Sequence, residues 1–189
     1  MVLSIAMLFY SCKDDYERVG DEAEKEIFPQ GVAKDFVFTY TEIPEKLGAE
    51  EDGSSKVMAI LSGPLQNDFE NLNFPYLTFP DGLLLEIFNE NNQKTTVESD
   101  YGIYYSATGL VDLQGNVIIQ SDDGKRLETP QLYYDRENEW AFTQETFKFT
   151  NPDDGTVMDG KGMDIKKDLS FMNAHKTFGL MLIKEDSDD

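Results

Sequence analysis

An all-β chain, drawn out into stacked antiparallel strand pairs, is what this sequence predicts, and three observations predict it. One strand-turn-strand phrase is written three times without a gap, over residues 97–119, 127–149 and 158–180. The second copy begins 30 residues after the first, and the third 31 after the second. Val97, Leu127 and Met158 align, as do Ser99, Thr129 and Gly160; on the return arm Leu110, Trp140 and Phe171 align, then Val117, Phe147 and Phe178. A fixed period of this size marks a unit that cannot bury its apolar face alone and stacks on copies of itself. Apolar and polar residues also alternate with a period of two in one segment after another, and no stretch sustains a helical period. Finally, Asp122-Asp123-Gly124 and Asp153-Asp154-Gly155 separate the copies, which is hairpin chemistry. They lack the alternating oxygen ligands and closing glutamate of a calcium loop.

Taken in order, residues 1–12 read as a signal peptide. Residues 1–11 are uncharged and apolar, and at ~1.5 Å per residue they span about half a bilayer core, too little for a transmembrane helix. Ser11-Cys12 at their end resembles a lipobox, which makes Cys12, the one cysteine, a candidate lipid anchor. Residues 13–35 are polar and strongly acidic, with Gly20, Pro29 and Gly31 as breakers, and read as a flexible tether. Order is expected from Phe36, where Phe36-Val37-Phe38-Thr39-Tyr40-Thr41 alternates like a strand. A strand over residues 57–61 is expected to stop at Gly63-Pro64, and two more flank the Pro80-Asp81-Gly82 turn. The main domain runs over residues 36–183, and residues 184–189 form an acidic tail.

Within each copy the apolar set changes parity. Val97 and Ser99 give way to Tyr104, and Leu127 and Thr129 to Leu132 and Tyr134. A strand residue alternates faces at every step, so keeping one face apolar through such a change requires a bulge or bend. The same bend made three times curls the sheet around an interior groove.

Composition excludes several functions. With a net charge of −21 there is no basic surface to displace counterions from nucleic acid. His175 is the only histidine and Cys12 the only cysteine, which removes a Cys-His pair and most zinc arrangements. Gly160-Lys161-Gly162 lacks the spacing of a phosphate loop. No catalytic residue, metal or cofactor is expected.

Several phrases together resemble one family. They are Thr39-Tyr40-Thr41-Glu42, Phe79-Pro80-Asp81-Gly82-Leu83, Gly115-Asn116-Val117, Asp123-Gly124-Lys125-Arg126-Leu127-Glu128-Thr129 followed by Leu132-Tyr133-Tyr134-Asp135, and Asp159-Gly160-Lys161-Gly162-Met163. In these the chain resembles LptC, the membrane-anchored periplasmic component of lipopolysaccharide export, in the lipoprotein-like form found in Bacteroidetes. The resemblance implies an elongated, open, twisted β-jelly roll whose groove carries the acyl chains of lipid A. It implies a periplasmic protein held at the inner membrane, here through a lipid on Cys12. It also implies edge-to-edge strand addition, with the permease jelly rolls of the export ABC transporter at the N-terminal edge and an LptA-like bridge protein at the C-terminal edge. The expected groove residues are Val97, Tyr104, Leu110, Val117, Leu127, Tyr134, Trp140, Phe147 and Phe178; the expected partner edges are Phe36, Phe38, Gly160, Phe178 and Leu180. The alternative is a cell-surface lipoprotein with a carbohydrate-binding β-sandwich.

Overall fold

The computed structural model describes residues 27–42, 56–166, 169 and 171–180. Cys12, most of the tether and the acidic tail lie outside the described residues. All regular structure within them is β: β1 (Gly31–Thr41), β2 (Val57–Asp68), β3 (Tyr76–Phe79), β4 (Leu83–Phe88), β5 (Lys94–Ser99), β6 (Tyr101–Tyr105), β7 (Leu110–Ser121), β8 (Arg126–Asp135), β9 (Trp140–Asn151), β10 (Thr156–Lys166) and β11 (Met172–Leu180). They form one antiparallel sheet, an elongated β-jelly roll.

The pairing has a simple logic. Strand β2 pairs with β3 near one end and with β4 near the other, and β7 meets β6 and β5 in the same way. Because β3 also pairs β6 and β4 pairs β5, β3–β4 and β5–β6 are each one strand run broken at a corner. The sheet is thus a meander of nine bent strands (eleven segments, two pairs of which are single runs). Each strand gives one half to a first arm, containing β3 and β6, and the other half to a second arm, containing β4 and β5.

The corners fall in register across the whole sheet. They are made at Asp35 opposite Pro64, at Pro80–Gly82, at Asp100, at Gly115-Asn116, around Pro130, and at Gly162 opposite His175. Several carry the positive φ that such a turn needs: Asp35 (47°), Gly82 (86°), Gly115 (73°), Asn116 (44°) and Gly162 (75°). Hydroxyl chemistry supports the bend between β8 and β9. Thr129 Oγ1 lies 3.1 Å from the Gln131 carbonyl and 3.0 Å from that of Thr146, bridging backbone that the ladder leaves unpaired.

The parity change seen in the sequence is this row of corners. Buried Leu127 and Thr129 give way to Leu132, and buried Gly160 to Met163 and Ile165. Residues of both arms then meet in one core. Leu113, Leu132, Ala141, Met163 and Ile165 from the first arm pack with Val97, Val117, Ile119, Leu127, Phe147 and Phe149 from the second.

Three expectations need correction. Strand β1 begins at Gly31, so the last five residues assigned to the tether are strand; Asp35 takes a left-handed conformation at the corner and does not interrupt pairing. Strand β2 continues to Asp68 through Gly63-Pro64, which form its corner. Leu110, Trp140 and Phe178 face away from the core. Leu110 pairs with Tyr105 and Asp135, and Trp140 with Asp135 and Lys166, while the inward positions are Val111 and Ala141. In β11 the corner is one residue shorter than in β9, so Thr177 faces Gly160 and ungapped alignment carries Phe178 outward, where it is 68% exposed.

The hairpin turns are closed by carboxylates. Asp123 binds the Lys125 ammonium and the Ser121 hydroxyl, which hold its carboxyl at a pKa of about 2. Asp135 and Asp154 are lowered in the same sense, chiefly by Asn138 and Thr156 respectively. A folded-state pKa below the unfolded value of about 3.9 adds stability that is complete above about pH 4 and lost as the pH falls toward 2. Asp123→Asn is expected to remove part of that acid sensitivity. Unfolding free energies from urea titration at pH 7 and pH 2.5 should differ less for the variant than for the parent, by about 1 kcal/mol or less because the pair is partly solvated. Equal acid sensitivity in both proteins would rule the turn out.

Candidate lipid-binding trough and strand edges

The two arms do not close evenly along the sheet. Around β7 to β10 the interior is solid, with Leu127, Met163 and Ile165 at 0% exposure. Along β1, away from its corner, the inner face opens by steps, from Phe36 at 6% to Phe38 at 39% and Tyr40 at 52%. These three alternate along β1 and so share one face. The registers extend that face across the sheet. Phe38 lies beside Leu61, Leu61 beside Leu85 and Leu85 beside Val97, while Tyr40 lies beside Ala59 and Ala59 beside Ile87. Leu61, Leu85, Ala59 and Ile87 are all only half-buried.

The result is a half-open aliphatic and aromatic face beside β1, the wall of a candidate trough. Its inner end is formed by Phe36, which stacks on Phe38 with centroids 5.1 Å apart and meets Phe79 at 5.8 Å. Phe79 comes from the first arm, so these rings join the two arms at the corner. An apolar wall of this kind holds a hydrocarbon chain by area, at ~25 cal/mol per Å² removed from water.

Of the residues expected in a groove, Val97, Val117, Leu127 and Phe147 are buried in the core, and Tyr134 packs against it half-buried. Tyr104 shares the inner face through its pairing with Val111, near the end of the first arm, where Arg136 donates to its hydroxyl at 2.7 Å. Leu110, Trp140 and Phe178 lie outside, as described. The half-open stretch involves Tyr40, Leu61, Leu85 and Ile87, which sequence reasoning did not assign to the groove. Their alternation was visible; the missing information was how far the arms part.

Both ends of the meander are strands paired on one side among the described residues: β1 with β2, and β11 with β10. Along β1, Val32 is 54% and Val37 66% exposed, facing away from the trough. Phe36 and Phe38 belong to this edge strand but turn inward. At the other end Phe178 and Leu180 lie in β11, where Leu180 pairs with Val157. Gly160 lies one strand in, in β10, between Phe147 and Thr177. Free strand edges are templates for another strand, and exposed apolar side chains do nothing to block them.

A family model described as lipopolysaccharide-assembly, LptC-related, matches residues 53–173, well over half of the chain. The chain belongs to the LptC family. No curated protein matches it at a significant level. Membership assigns it a role in lipopolysaccharide transport, among components that are periplasmic and associated with the inner membrane. The match covers β2 through the start of β11, and so takes in the solid core and, of the half-open face, Ala59, Leu61, Leu85 and Ile87, while β1 lies before it. Among the described residues no helix is long and apolar enough to cross a membrane, and no group of three acidic, histidine or cysteine side chains is placed to hold a metal ion.

Proposed function

We propose that this LptC-family protein is a non-enzymatic carrier that passes the acyl chains of lipopolysaccharide along the trough between its arms. Chains enter from the permease jelly-roll domains at the β1 edge and leave toward an LptA-like bridge at the β11 edge. A lipid on Cys12 holds the protein at the inner membrane, facing the periplasm. The observation that carries this reading is the graded opening of the inner face, from Phe36 through Phe38 to Tyr40, on a strand paired on one side among the described residues. Apolar side chains facing an opening at the edge of a sheet supply both a ligand wall and a continuation into a neighbouring jelly roll.

Energy favours the reading despite the acidic surface. Several acyl chains at ~0.8 kcal/mol per buried methylene gain on the order of tens of kcal/mol before costs. Repulsion between head-group phosphates and surface carboxylates is screened over ~8 Å and is far smaller.

Photo-crosslinking residues placed in cells at Phe38 and Leu61 are expected to capture lipopolysaccharide. The same group at Trp140, on the opposite face, is expected to capture little. Equal capture at the two faces, or none at Phe38 with the protein folded, would overturn the carrier assignment. Fatty-acid labelling that disappears in Cys12→Ala is the expected sign of the anchor; labelling retained in that variant would refute it.

A further inference from the structure

The face of the first arm turned away from the trough carries a second cleft, of about 510 Å³. Phe74, Tyr105 and Tyr133 form its walls, Leu110 and Asp112 its floor, and Asp135 closes one end. The registers explain the arrangement. Tyr105, Leu110 and Asp135 lie in one row across β6, β7 and β8, and Ile103, Asp112 and Tyr133 in the next. Tyr105 and Tyr133 therefore stand two strands and two residues apart, about 12 Å between backbones, which leaves space for a flat group between the two side chains. The walls are braced by ring contacts: Tyr105 packs against Phe74 at 5.5 Å, and Tyr133 stacks on Phe142 at 5.2 Å.

The floor is what selects the ligand. Asp112 is only 6% exposed, and its carboxylate accepts from the amides of Gln114 at 2.8 Å and Gln131 at 2.9 Å. Gln131 also donates to the Tyr133 hydroxyl at 2.9 Å. These donors are neutral, so they orient the carboxylate without cancelling its charge. No lysine or arginine lines the cleft among the described residues. The Tyr105 hydroxyl has its pKa raised by burial and then by Asp112, as expected where the potential is negative. A buried carboxylate without a cation is costly, and aromatic faces attract the same charge that the carboxylate lacks.

We propose that this cleft is a docking slot for one cationic side chain, an arginine presented by a basic partner segment. The guanidinium is planar and weakly hydrated, stacks on aromatic faces and donates to a carboxylate in its own plane. It fits between Tyr105 and Tyr133 with its edge toward Asp112. The slot lies on the other side of the sheet from the trough, so its occupancy does not depend on the lipid-carrier reading.

The test is to titrate the full chain with Nα-acetyl-arginine amide while following backbone amide resonances. Saturable shifts at Tyr105, Leu110, Asp112 and Tyr133 are expected, with a dissociation constant in the millimolar range. The uncharged isostere, Nα-acetyl-citrulline amide, should bind at least tenfold more weakly, as should arginine to Asp112→Asn. Phe74→Ala, at an exposed position, should weaken binding severalfold with the rest of the spectrum unchanged, which guards against a folding defect in the first variant. Equal binding of citrulline, or undiminished binding in both variants, overturns the proposal. Saturable shifts from methyl glucoside with none from arginine would overturn it too, and give the slot to a saccharide.

Discussion

Gly160→Val is expected to cost about 3 kcal/mol or more and to free β11 from the sheet. Gly160 lies in β10 with the Phe147 ring laid across it, and a side-chain carbon at this position would overlap both that ring and the Lys176 carbonyl of β11. Neither neighbour has room to move. Phe147 is 3% exposed within the core, and the Lys176 carbonyl is part of the backbone of the paired strand. Overpacking of this kind costs 1–3 kcal/mol where side chains alone must shift, and more where backbone must. The expected signature is a lowered urea midpoint together with fast hydrogen exchange at the amides of β11, while β7 and β8 stay protected. Paired with Phe147→Ala, the change should cost less than the sum of the two single losses, since the second variant removes one of the two clashes. An unchanged midpoint in Gly160→Val would show that the strands part here without cost. Because β11 is the edge at which strand addition is proposed, the same variant should also lose its bridge partner while keeping the trough.

The second large effect is expected at the centre of the core. Leu127 is wholly buried, in the row that runs from Val97 through Ile119 to Phe149. Leu127→Ala removes three carbons from a site ringed by four strands that cannot collapse onto the space. A loss of about 3–4 kcal/mol follows, at the middle of the range for such truncations. In a chain of this length that lowers the melting temperature by about 10 °C. Phe178→Ala is the matching control: the ring is larger but 68% exposed, so the change should stay within about 0.5 kcal/mol. If the two variants melted together, the assignment of inside and outside would be wrong.

Much of this architecture was legible in the chain, and the reason is the repeat. Ser99, Thr129 and Gly160 align in sequence because each is the last inward residue before a corner, where bulk is excluded. The parity change was legible for the same reason, since a bent strand must skip a residue to keep its face. What could not be read was which of two apolar faces was inside. The first arm carries aromatics on both sides, so alternation at Leu110-Val111 and Trp140-Ala141 offers no choice between neighbours. The orientation is decided by pairing over long range. Tyr133, Tyr105 and Asp112 escaped notice for a related reason, because three residues far apart in sequence become one slot only after β6, β7 and β8 are placed side by side.

The alignment of the corners bears on what can attach at either end. A straight strand offered to β11 can follow the backbone of only one arm; past His175 the template turns away from it. Half of the available hydrogen bonds are then forfeited. A strand with its own kink, set at the matching point, pairs along the full length and continues both walls of the trough at once. Selection among rival strands therefore falls to the position of a bend and needs no particular side chain. Under the proposed strand addition, a partner shifted by two residues would keep its faces correct yet miss the turn, so the bend would act as a vernier for how neighbouring units are set end to end.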